Sequence, residues 1–128
     1  MAKLTVSKDN TKPPLMKTTF DDFNRPTYAS INLNVVDNTI EGGYIWDELV
    51  LPDFALLAIH EAADDIKYNV LVAHIIKAYY DDNKMAAIVN NYIMDQDDEE
   101  HKTEFLEMQR IRKLAKESAK YIIKNKLF

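Results

Sequence analysis

The sequence predicts an α+β protein, mainly α, in which an N-terminal β-hairpin is followed by three or four helices, the last one long. Three observations carry that expectation. Ile31, Leu33 and Val35 alternate with Ser30, Asn32 and Asn34, the period of a half-buried strand. Between Asp64 and Met94, at about 100° per residue, Tyr68, Leu71, Val72, Ile75, Ile76 and Tyr79 gather on one helical face, with Lys67, Asn69, His74, Lys77 and Asp81 opposite. From Asp97 to about Asn125 no glycine or proline interrupts a helical pattern.

Taken in order, residues 1–24 are expected as a flexible N-terminal arm and residues 25–128 as a single helical domain opened by the hairpin. Pro13 and Pro14 block any continuous helix in the arm, which carries Lys3, Lys8, Lys12 and Lys17. Leu15, Met16, Phe20 and Phe23 are its candidates for docking onto the body, and Thr18 to Asp22 for a single turn. The hairpin pairs a strand around Ile31 with Tyr44 to Leu51, and Asp37-Asn38 and Gly42-Gly43 supply turn chemistry on either side of Thr39-Ile40-Glu41. Two strands alone are marginal in water, so a helix or a strand from a partner chain must complete the ribbon.

Pro52-Asp53 ends the second strand, and Asp53 suits the cap of a first helix. Residues 53–81 fit one helix or two, and Asp64 or Asp65 would cap the second. Asp82 or Asn83 is placed to cap the next helix, which carries Met85, Ile88, Val89, Tyr92 and Ile93. In the last helix Met108, Ile111, Ala115, Ser118 and Ile122 recur at spacings of three and four. At its expected length, on the order of 40 Å, part of this helix projects or packs on another chain.

The bulk composition excludes several classes. Cysteine is absent, so no disulfide framework, thiolate zinc site or cysteine nucleophile exists. Twenty-one acidic against sixteen basic residues give a net charge of −5, which disfavours a whole-protein nucleic-acid binder while leaving room for a local basic patch. No apolar run reaches membrane-span length and none resembles a signal peptide, so a cytoplasmic setting without membrane contact is expected.

Two motifs bear on chemistry. His60-Glu61-Ala62-Ala63-Asp64 has the outline of a zincin helix with its second histidine replaced by aspartate; Glu61 would be the base and His74 or His101 a third ligand. The same acids serve equally as a solvated helix terminus, and no catalytic, cofactor or metal residue is assigned. The last helix separates its charges: Asp95 to Glu107 holds seven acids and one lysine, and Arg110 to Lys126 holds seven basic residues and Glu117. That polarity complements the helix dipole. It also sets Lys113, Lys116, Lys120 and Lys124 on one stripe able to follow a phosphate backbone or meet an acidic partner.

The runs Tyr44 to Pro52, Ala87 to Tyr92, Glu104 to Gln109 and Arg112 to Lys116 resemble small uncharacterised proteins encoded by bacteriophages and prophages of gut bacteria. The resemblance covers about Tyr44 to Ile123 and implies an accessory or virion-assembly role, in the host cytoplasm or the virion, with no catalytic residues to carry over. Together these features predict a non-enzymatic protein that binds a protein partner and self-associates, with Tyr44, Trp46, Met108, Ile111 and Ile122 as its interaction surface, no cofactor and no small-molecule substrate. Nucleic-acid binding by the basic end of the last helix is the alternative, and metal-dependent hydrolysis at His60 and Glu61 a third reading.

Overall fold

The structure, a computed structural model, describes residues 3–38 and 43–127. Four strands and four helices follow one another as β1 (Lys3–Asp9), β2 (Met16–Phe20), β3 (Pro26–Asn38), β4 (Gly43–Val50), α1 (Asp53–Glu61), α2 (Asp64–Tyr79), α3 (Asp82–Met94) and α4 (Glu99–Lys124). The strands form one antiparallel sheet in the order β1-β4-β3-β2.

The expected hairpin exists as β3 and β4, but it is the centre of a larger sheet. The segment expected as an arm supplies both edges, β1 against β4 and β2 against β3. The register gives the physical reason. Leu4 lies opposite Leu49, Leu49 opposite Ile31 and Ile31 opposite Met16, so one apolar row crosses all four strands. Leu49, Ile31 and Met16 are buried, each contributing about 1.5–3 kcal/mol of hydrophobic stabilisation. Pro13-Pro14 stops a helix, as expected, yet leaves the flanking residues free to extend. The turn expected at residues 39–42 lies outside the described residues.

Two local features fix how β4 meets its neighbours. A Cβ on Gly43 would stand 2.9 Å from the carbonyl oxygen of Asp9, so only glycine lets the end of β1 approach this closely. Between Leu33 and Val36 the β3–β4 register slips by one residue, and Asn34, with φ of 52°, occupies the bulge in the left-handed region.

Three of the helices, α1, α2 and α4, pack on the side of the sheet that carries the apolar row, and α3 packs on α4. Ala55, Leu56 and Ile59 of α1, Leu71 and Ile75 of α2, and Ala115, Ala119 and Ile122 of α4 join Ala29, Ile31, Leu33, Leu49 and Leu51 in one core. The chain breaks between α1 and α2, where Ala62 and Ala63 are both extended, with ψ of 160° and 159°. Neither helix has a side-chain cap: Asp53 is the first residue of α1, and Asp64 and Asp65 sit in the first turn of α2. Asp81, one residue before the expected cap, accepts from the Lys84 amide at 2.6 Å, and Asp98 caps α4 by accepting from the His101 amide at 3.0 Å.

The 26-residue α4 does not project bare. Met108, Ile111, Ala115, Ser118, Ala119 and Ile122 are buried along it, because both α2 and α3 pack on it, Tyr92 of α3 stacking on Phe105 at 4.2 Å. Among the described residues no helix is long and apolar enough to cross a membrane.

Candidate functional site

Helices on one face leave the other face of the sheet free of helices, and the alternation of side chains decides what it displays. Lys17, Ser30 and Val50 share one cross-strand row, Asn32, Glu48 and Thr5 the next, then Trp46 with Ser7 and Tyr44 with Asp9. Glu48 stands at the centre. Its two carboxylate oxygens accept from the Ser7 hydroxyl at 2.8 Å and the Tyr28 hydroxyl at 3.0 Å, and burial together with the Glu48 bond raises the Tyr28 phenol above its ordinary pKa.

Because β1 and β2 lie at opposite edges, residues 10–15 must cross from one side of the sheet to the other. This strap is tied down by Asn32, whose backbone amide donates to the Leu15 carbonyl and whose side-chain amide donates to the Pro14 carbonyl, both at 2.7 Å. Between strap and sheet lies a groove of about 270 Å3 lined by Asp9, Lys12, Pro13, Lys17, Trp46 and Glu48, with Ser30 and Asn32 buried in its floor. Trp46 is buried, 8 % exposed, and its Nε1 is itself shut off from solvent with no hydrogen-bond partner among the described residues.

The basic stripe is where the helical spacing places it. Lys113, Lys116, Lys120 and Lys124 are all exposed, on the side of α4 opposite Ala115 and Ile122. Lys113 lies 3.9 Å from Glu117, a solvated i, i+4 pair. Beyond α4 the chain reaches the sheet, where the Thr18 hydroxyl donates to the Leu127 carbonyl at 3.3 Å.

Of the residues expected as an interaction surface, only Tyr44 lies half-exposed on the open sheet face. Met108, Ile111 and Ile122 are buried, because the three-and-four spacing that singles them out is the core-facing stripe of α4. Trp46 is buried beneath the strap. The zincin outline loses its premise: α1 ends at Glu61 and α2 begins at Asp64, so His60 and Asp64 share no helical face. The His60 ring packs against Phe20, His74 packs against Phe54, and among the described residues no group of three or more histidine and acidic side chains is gathered to hold a metal.

A polar cluster joins sheet to helices. The Tyr79 hydroxyl donates to Asp47 at 2.7 Å, the Asn34 side-chain amide donates to Asp47 and to Tyr79, each at 3.1 Å, and Arg110 donates to the Asn34 side-chain Oδ1 at 3.2 Å while pairing with Glu107 at 2.6 Å. Burial, reinforced by Asp47, holds the Tyr79 phenol far above its ordinary range, so it remains a donor. Its site in the sequence carries a faint mark: Asn34 precedes Val35-Val36, where strict alternation fails. The lysines of the groove carry none, because Pro13-Pro14 hides the strands around them.

Comparison with known proteins adds no relative: no family description, no curated protein and no solved structure matches this chain.

Proposed function

We propose that the protein is a non-enzymatic accessory or assembly protein of the phage and prophage kind, acting through protein–protein contact and self-association by strand addition at the outer edge of β1. The observation that supports this reading is the open edge itself. Among the described residues β1 pairs with β4 alone, and Val6 on it is 75 % exposed. An unpaired edge offers a row of N–H and C=O groups to another strand, and a second copy of the same edge closes the pairing about a two-fold axis. The opposite edge is less suited, because β2 is short, is bulged between Thr19 and Phe20 and carries the contact with Leu127.

This basis for self-association differs from the one the sequence suggests. The ribbon, the arm and the long helix each find their complement within the chain, so they create no demand for a partner. Sedimentation equilibrium of the intact protein should show a dimer at about 50 µM. Val6→Lys, which installs the ordinary guard against edge pairing, should return it to monomer. A native protein that is strictly monomeric at that concentration overturns the reading.

The exposed lysine face of α4 favours a second reading, contact with nucleic acid. Replacing Lys113, Lys116, Lys120 and Lys124 with glutamine should abolish a salt-sensitive shift of duplex DNA. Absence of any shift by the native protein at low salt sinks it.

A further inference from the structure

We infer that the solvent face of α4 pairs antiparallel with the same face of a second copy, a contact separate from the β1 edge. At about 100° per residue, Leu106, Arg110, Lys113, Glu117, Tyr121 and Lys124 form one seam along the exposed side of the helix, opposite the buried row of Met108, Ile111, Ala115 and Ile122. Each half of the seam presents one large apolar side chain to solvent, Leu106 at 56 % exposure and Tyr121 at 55 %.

Charge decides the occupant and its direction. Seven acids and one lysine fall between Asp95 and Glu107, and seven basic residues and one acid between Arg110 and Lys126. A parallel copy would set acid beside acid and lysine beside lysine. An antiparallel copy sets each half against its opposite and aligns the two helix dipoles favourably. A phosphate backbone laid along the same face is attracted by the basic half alone and repelled by the acidic half, so a second copy fits the whole face better than nucleic acid does. Placing Leu106 opposite Tyr121 of the second copy fixes the register, and a two-fold axis makes every pairing reciprocal. The same register brings Arg110 opposite Glu117 and Glu107 opposite Lys120, each twice. Within one copy Glu107 already pairs with Arg110 at 2.6 Å and Glu117 with Lys113 at 3.9 Å, so the charges join into a network across the axis. Lys113 stands beside the axis against its own counterpart. The contact is therefore weak, with a Kd on the order of 1 mM, and salt loosens it. Where β1 edges also pair, the two contacts join copies into species larger than a dimer.

The test is made on the Val6→Lys protein, in which edge pairing is blocked, so that the two contacts succeed or fail separately. Sedimentation equilibrium at about 1 mM protein and low ionic strength should give a mass between monomer and dimer, falling to monomer in about 0.5 M salt. Lys120→Glu and Glu107→Lys, both at exposed positions, should each give monomer alone. Their equimolar mixture should recover the association, because each substitution complements the other across the axis. Leu106→Ala should also give monomer. The proposal is overturned if the Val6→Lys protein is monomeric at low salt, and a protein that is monomeric there yet shifts duplex DNA assigns the face to nucleic acid. It is equally overturned if the mass ignores both salt and the charge substitutions, or if the mixture stays monomeric.

Discussion

Asn34 carries more of the structure than any other single polar residue, because it serves two purposes at once. Its backbone takes the left-handed conformation that the β3 bulge requires, and its side chain bonds Asp47, Tyr79 and Arg110. The two roles separate by substitution. Asn34→Gly keeps the backbone accessible and should cost about 1 kcal/mol, whereas Asn34→Ala adds conformational strain and should cost about 2–3 kcal/mol in urea denaturation. Tyr79→Phe removes only the hydroxyl and should cost about 1–2 kcal/mol. His74 sets a pH dependence. Burial, with Lys77 nearby, lowers its pKa from 6.5. The unfolded chain then binds the proton more readily than the folded one, so the neutral histidine's contribution to stability is complete above pH 6.5 and lost as pH falls through the lower folded value. Melting temperatures should therefore fall between pH 7.5 and pH 5.5, values chosen to span the ordinary imidazole range of about 6.5, and His74→Gln should flatten that slope.

Among the elements, α4 is held by a stripe that the sequence displays openly and that the tertiary structure turns inward. Ile111→Ala should cost about 2–5 kcal/mol by leaving a cavity beneath the buried face of α4, while Leu106→Ala, at an exposed site on the same helix, should stay within about 0.5 kcal/mol. The contrast reads directly on whether the stripe faces the protein's own core. The α1–α2 break has a different lesson. Ala63 has the extended backbone of an N-cap, with φ of −68° and ψ of 159°, but no side chain able to accept from the first turn. Ala63→Ser should stabilise the protein by about 1 kcal/mol, measured as a raised melting temperature.

For the molecule as a whole, the consequential fact is that β1 and β2 belong to the sheet. A dispensable arm and a structural edge predict opposite results on removal. Deleting residues 1–15 takes away β1, Leu4 of the apolar row and the strap, and should cost on the order of 3 kcal/mol or more in urea denaturation, whereas loss of an unattached arm would change nothing. The same placement creates the groove, because edge strands joined in sequence force their connection across the sheet.

The sequence by itself determined the apolar faces of the helices, but not whether residues 53–81 form one helix or two. The spacing of Leu71, Ile75, Met108, Ile111 and Ile122 is local, and a 3.6-residue period needs no partner to be legible. It also marked the two central strands, where alternation is unbroken up to Asn34, and the solvent stripe of four lysines. Only the tertiary structure decided that Leu4 and Met16 extend that sheet, since each is one apolar residue in a polar segment and acquires meaning only opposite Leu49 or Ile31. It alone decided, too, that Met108, Ile111 and Ile122 are core and no interaction surface, that His60 and Asp64 part company across a helix break, and that Lys12, Lys17 and Trp46 line one groove. Periodicity reports which side of an element is apolar; what covers that side is a matter of long-range pairing, to which distant segments contribute and which no local pattern records.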